Sequence, residues 1–201
     1  MSKIVLILDY GSQYTQLIAR RVRELQVYCE ILPFDTNPEA LLERKPAAII
    51  LSGGPASVTS EDAPPLSRTL LESDAPILGI CYGLQVLTRT LGGEVRPSNQ
   101  REYGRASIQL ETNSGLFAGL ESQELTVWMS HGDHVAQPAE GFEVTARSAD
   151  GVIAAIANEP RNIYGVQFHP EVVHTPQGKE IIRNFVYDIA AYPGIGHHPL
   201  S

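Results

Sequence analysis

Cys81 stands inside a glycine frame, Gly79-Ile80-Cys81-Tyr82-Gly83-Leu84-Gln85, with an apolar run before it and a helix-like run after it. Glycines on both sides of a thiol fit a sharp strand-to-helix elbow, where the chain reverses and a helix closes tightly onto its own strand. Such an elbow belongs at the carboxyl edge of a parallel sheet, which is also where open α/β sheets place their ligands. The helix that follows would aim its positive N-terminal end at the sulfur and favour the thiolate. A free cysteine is more often a small buried hydrophobe. Cys29, inside a strand-like run without glycines, is read that way.

The first half of the chain agrees with the elbow. Apolar runs at Ile4–Leu8, Val27–Leu32, Ala47–Leu51 and Ile77–Ile80 read as strands. Between them, Tyr14–Leu25 carries Leu17, Ile18, Val22 and Leu25 at helical spacing. Asn37-Pro38 opens a short helix ending near Arg44, and Leu66–Glu72 looks helical. This alternation predicts βαβ units and a parallel sheet covered on both faces.

Beyond Gly92-Gly93 the pattern changes. Val95, Ala106–Leu110, Leu125–Met129, Phe142–Ala146 and Val152–Ile156 suggest short, partly antiparallel strands. Ile163–Phe168 returns as a core strand and Lys179–Ala190 reads as a closing helix. The expected fold class is α/β: a mostly parallel central sheet flanked by helices, with a smaller antiparallel portion in the second half. One domain is expected over residues 1–190, with 191–201 as a tail or linker.

Composition narrows the function. The 201 residues suit one ordinary domain, and 43% hydrophobic with 19% charged residues fit a folded chain. A net charge of -8 without a basic run argues against nucleic-acid binding. The first apolar run is too short to span a bilayer and no cleavage site follows it. Two cysteines imply no disulfide framework, so a cytoplasmic location is expected.

Three further segments carry chemistry. In Gln167-Phe168-His169-Pro170-Glu171, residues i and i+2 at a strand end point to one side. Glu171 can then orient His169, which takes the proton of Cys81 in the nucleophile–base–orienter arrangement of a triad. Alone, His-Pro-Glu reads as a turn; paired with the elbow, it reads as catalytic. Ser52-Gly53-Gly54-Pro55 follows the third strand and offers backbone N–H groups to a developing oxyanion, with the Tyr82 N–H as second donor. In Trp128-Met129-Ser130-His131-Gly132-Asp133-His134, nothing nearby has zinc-site spacing. It reads as a polar loop presenting Ser130, Gly132 and Asp133 to a small ligand.

With Asp9-Tyr10-Gly11-Ser12-Gln13-Tyr14 and Ala56-Ser57-Val58, these segments resemble the class I (triad-type) glutamine amidotransferases over nearly the whole chain. Within that family they look like the glutaminase component of the GMP synthases. The resemblance implies the flavodoxin-like fold of the family and a reaction in which Cys81, His169 and Glu171 cleave the amide of glutamine through a thioester. It implies Gly54 and Tyr82 as oxyanion donors. It also implies Gly53, Gln85, Ser130, His131 (through its backbone), Gly132 and Asp133 as holders of glutamine. No metal site is implied, and no cofactor in this chain.

ATP and Mg²⁺ are expected only on a synthetase partner, an ATP-pyrophosphatase domain or subunit that aminates XMP. No phosphate-cradling Ser-Gly-Gly-Val-Asp-Ser-type loop is present, so the chain is expected to be an excised domain or a separate subunit. Partners from nucleic acid or membrane are not expected. Two other readings stand beside this one: a stand-alone γ-glutamyl hydrolase or amidase (or an amidotransferase component serving another synthetase), and a binding module that has lost catalysis. The complete set of triad residues weighs against the last.

Overall fold

The computed structural model describes residues 4–193, apart from the side chains at 99–103, 130 and 131. Among these residues lies a nine-stranded mixed sheet in the order β2-β1-β3-β4-β9-β8-β7-β5-β6. The strands are β1 (Val5–Asp9), β2 (Cys29–Pro33), β3 (Ala48–Leu51), β4 (Ile77–Ile80), β5 (Glu94–Leu110), β6 (Glu124–Gln137), β7 (Glu143–Ser148), β8 (Ile153–Asn158) and β9 (Ile163–Val166). The helices are α1 (Thr15–Glu24), α2 (Pro38–Glu43), α3 (Arg68–Leu71), α4 (Tyr82–Thr90) and α5 (Gly178–Arg183); α5 runs on into a π-helical segment, Asn184–Ile189.

From β2 to β9 the neighbours are parallel, and from β9 to β6 antiparallel. The expected α/β class, with its parallel centre and antiparallel second half, is the one observed.

Each central strand is buried on both faces, as parallel strands with crossover helices must be. Val5 and Ile7 of β1 pack with Ile18, Ala19 and Val22 of α1 and with Ile181 and Ile182 of α5. Their neighbours Leu6 and Leu8 face the other layer, with Leu41, Leu70, Leu71, Leu84 and Leu87 from α2, α3 and α4. The two-residue period of the strand thus divides one apolar run between two cores. Cys29 is buried in the first core, its thiol directed at the Ala19 carbonyl 3.6 Å away.

Local signals set several boundaries. Asn37 caps α2 by accepting the Ala40 N–H at 3.2 Å, and Pro38 occupies the first turn, where its missing N–H costs nothing. Of the expected tail, Tyr192 is buried against the core, and its hydroxyl accepts the Tyr28 N–H at 3.2 Å. Residues 194–201 lie outside those described.

The second half departs from expectation in the length of its strands. Trp128–His134, expected as a loop, lies wholly within β6, paired residue by residue with β5 except across a register shift between Pro97 and Glu102. Polar and glycine residues made this segment read as a loop. Cross-strand pairing satisfies its backbone all the same. No helix among the described residues is long and apolar enough to cross a membrane.

Candidate active site

The elbow forms as the glycine frame demands. Cys81 sits between β4 and α4 at φ 50°, ψ -107°, a conformation that a non-glycine residue holds only under strain. Its N–H bonds to the Val166 carbonyl of β9 at 2.9 Å, which ties the elbow to the neighbouring strand. A Cβ on Gly79 would stand 2.6 Å from Leu87 Cδ2 and 2.7 Å from the Gly83 carbonyl. One on Gly83 would stand 2.5 Å from the Leu51 carbonyl oxygen. Helix, strand and neighbouring strand meet there at backbone contact, so both positions require glycine.

The base arrives from β9, which lies beside β4 in the sheet. After Val166 the chain crosses towards β6: Phe168 bridges to Met129, and the His169 N–H bonds to the Trp128 carbonyl at 2.8 Å. The imidazole then lies with Nε2 3.2 Å from Cys81 Sγ and Nδ1 2.6 Å from Glu171 Oε1. His169 is 3% exposed and Glu171 is fully buried. The three residues predicted to act together are therefore in contact, in the predicted order.

Charge favours the imidazolium. Burial by itself would lower the pKa of His169. The charge of the Cys81 thiolate and its hydrogen bond, with smaller contributions from Glu171, override burial and hold the pKa at about 11. The sulfur has a second contact, in which the thiol donates to the Gln167 carbonyl at 2.8 Å. The sulfur thus lies between two partners, the Gln167 carbonyl and His169 Nε2. Only the second contact is productive for attack.

Removing the thiolate should bring His169 down towards its ordinary value near 6.5. In Cys81→Ser the imidazole should titrate at lower pH than in the wild type when followed by NMR; an unchanged titration would show that sulfur does not set the histidine's charge.

A cavity of about 640 Å³ opens onto the pair, lined by Gly54, Cys81, Tyr82, Gln85, Gly132, Asp133 and His169 among others. Gly53 packs beneath it: a Cβ there would lie 3.4 Å from His169 Cε1 and 3.5 Å from Cys81 Cβ. Gly54 follows, so close to β1 that a Cβ would stand 2.3 Å from the Tyr10 carbonyl oxygen. Tyr82 opens α4, and its N–H is one of the first-turn donors a helix leaves unpaired.

Gln85 Nε2 is already engaged by the Asp133 carbonyl at 3.1 Å and Gln167 Oε1 at 3.3 Å, which leaves its oxygen for a ligand. Asp133 lies in β6 at the cavity wall, and Gly132 beside it has open space where a Cβ would be. Ser130 and His131 are backbone-paired with Tyr103 and Glu102 in β6; the roles expected of their side chains lie outside the described residues.

The structure adds positioning groups to which the sequence assigned no role. Tyr14 meets the His169 ring edge-on, at 5.1 Å between centroids. Thr175 Oγ1 donates to the His169 carbonyl at 2.7 Å and accepts the Trp128 N–H at 3.0 Å, clamping the histidine to β6. Arg21 Nε reaches the Glu171 carbonyl at 3.0 Å. Tyr14 stands in a noted motif without an assigned role, whereas Thr175 and Arg21 carry no local signal.

Similarity to known proteins extends over almost the whole chain. The family described as "Glutamine amidotransferase class-I" matches residues 6–189. A GMP synthase [glutamine-hydrolyzing] of Carboxydothermus hydrogenoformans is 53% identical over 189 residues, which is 94% of this chain and 37% of that protein. One from Thermomicrobium roseum is 55% identical over 185 residues, 92% of this chain and 34% of the relative. The chain thus spans little more than a third of the length of these relatives. A crystal structure from Thermoplasma acidophilum, provisionally named as one component of a GMP synthase, superposes with a TM-score of 0.84 at 32% identity over 94% of both chains. The chain belongs to the class-I glutamine amidotransferase family.

Proposed function

We propose that this chain hydrolyses the side-chain amide of L-glutamine and supplies the ammonia to a synthetase that converts XMP to GMP. The observation that carries the reading is the unbroken Cys81–His169–Glu171 relay, 3.2 and 2.6 Å between its contacting atoms, opening onto a cavity with room for glutamine.

The chemistry follows from the geometry. Cys81 Sγ attacks the amide carbon, and the carbonyl oxygen becomes an oxyanion held by the N–H groups of Gly54 and Tyr82. His169, holding the proton from sulfur, gives it to the leaving nitrogen, and ammonia departs from a γ-glutamyl thioester. A water then gives a proton back to His169 and attacks the thioester. Glutamate leaves and the thiol is restored. Glu171 accepts from Nδ1 throughout, which fixes the ring with Nε2 towards sulfur. The cavity face of Gln85, Gly132 and Asp133, with the backbone of Ser130 and His131, holds the amino-acid end of the substrate; Gly53 supports the oxyanion loop from below.

The GMP synthase names of the relatives support a synthetase as the ammonia acceptor. ATP and Mg²⁺ act on that partner, an ATP-pyrophosphatase domain or subunit, and the chain needs no cofactor of its own. The test mixes the chain with such a synthetase, XMP and ATP. Ammonia release should accelerate, and GMP should form from glutamine in place of free ammonia. Unchanged turnover and no GMP would favour a stand-alone γ-glutamyl hydrolase or amidase.

A further inference from the structure

The cavity wall holds a carboxylate that lacks a cationic partner among the described residues. Asp133 is 8% exposed and lines the wall, and no described Lys or Arg side chain pairs with it. A charge so buried is costly unless something compensates it. The hydrogen bond that its carboxylate receives comes from Ser57 Oγ, which donates to Oδ2 at 2.6 Å. Ser57 has one proton to give. Its oxygen accepts the Thr59 N–H at 3.3 Å and lies 2.7 Å from Thr59 Oγ1, so the donors run from Thr59 to Ser57 to Asp133.

Ser57 belongs to the loop after β3 that also holds Gly54. That loop is anchored at its start, where Ser52 Oγ accepts the Tyr10 N–H at 2.8 Å. It is anchored again at its far side by the bond from Arg89 to the Val58 carbonyl. The Ser57–Asp133 contact spans from this loop to β6 across the cavity wall. It joins the loop whose backbone would hold the oxyanion to a carboxylate of the cavity wall.

We propose that Ser57 is a specificity-determining positioning residue: its hydroxyl clasps Asp133 to the oxyanion loop, so that the carboxylate is aimed at the α-ammonium group of the substrate. The inference rests on the reading of the cavity as a glutamine pocket. Among the described residues the carboxylate has no counter-charge, and a substrate that bears an amine supplies one. Fastening that carboxylate to the loop links recognition of the amine to the placement of Gly54.

The test compares ammonia release from glutamine and from glutaramate, the same molecule without its amino group, using the full chain. Ser57→Ala should lose about tenfold in kcat/KM for glutamine, mostly in KM, and roughly twofold or less for glutaramate. Ser57→Thr keeps the hydroxyl and should retain most of the discrimination; Asp133→Asn should abolish it. Equal losses on both substrates in Ser57→Ala would make the residue merely structural and overturn the proposal. Discrimination lost in Asp133→Asn but intact in Ser57→Ala would overturn the clasp and leave the glutamine pocket standing. A wild type that hydrolyses both substrates alike would sink the pocket reading and the clasp with it.

Discussion

Cys81→Ala is expected to leave the fold intact and to abolish ammonia release from glutamine, a fall on the order of 10⁶-fold by comparison with other triads. The side chain is small and lies at the floor of the cavity, so its loss removes little packing. No other described thiol can substitute, because Cys29 is buried in the first core and takes no part in the cavity lining. His169→Ala should be nearly as severe, since attack needs it to take the sulfur's proton and departure needs it to give that proton to the leaving nitrogen. Glu171→Ala should be milder, on the order of 10⁴-fold, because orientation is lost while the base remains. These losses will not add, as the residues act as one unit. A glutamine-mimicking electrophile, mapped by peptide mass spectrometry, should label Cys81; labelling elsewhere would overturn the assignment of the nucleophile.

Gly83→Ala should destabilise the protein by about 3 kcal/mol and destroy activity along with the elbow. Two effects oppose each other here. Inside a helix, alanine is favoured over glycine by about 1 kcal/mol, so propensity alone predicts stabilisation. Against that, the new Cβ would stand 2.5 Å from the Leu51 carbonyl oxygen and 2.7 Å from Leu51 Cβ. Both belong to a central strand hydrogen-bonded on either side, which has nowhere to retreat. Steric overlap with backbone wins over propensity. Urea unfolding followed by circular dichroism measures the change, and a higher midpoint would show that the helix withdraws from the sheet at little cost. Gly92→Ala is a useful control for the crowding argument: φ is 94° at Gly92, but nothing lies within 4 Å of the added atom, so its cost is conformational alone.

Most of the parallel half was legible because its signals are local. Strands such as Ile4–Leu8 and Ala47–Leu51 must be apolar throughout when both faces are covered, and a short continuous apolar run between turns is hard to mistake in a chain that alternates with helices. The elbow was legible for a different reason. A non-glycine residue at φ 50° is tolerable only where its neighbours yield all the space, and Gly79 and Gly83 record that need in the sequence. The antiparallel half was less legible. Trp128–His134 contains glycine and aspartate, residues poorly suited to strands on propensity, and tertiary pairing with β5 and with Phe168 holds the segment extended.

The chemistry available to this protein is written in the order of its residues: a thiol on an elbow, a histidine with a carboxylate two residues on, and glycine loops that expose backbone donors. Each is written within a few consecutive residues, because local steric and hydrogen-bonding demands restrict which residue types can stand there. Which of these groups meet depends on the folded sheet. Cys81 and His169 come together because β4 and β9 are neighbours in the sheet, although α4 and strands β5 to β8 separate them along the chain. Thr175 holds His169 to β6 by its bond to Trp128, and Ser57 reaches Asp133 at the cavity wall, through contacts whose partners are far apart in sequence. Such contacts depend on side-chain geometry fixed by sheet order and packing, and neither leaves a periodic or local trace in the order of residues.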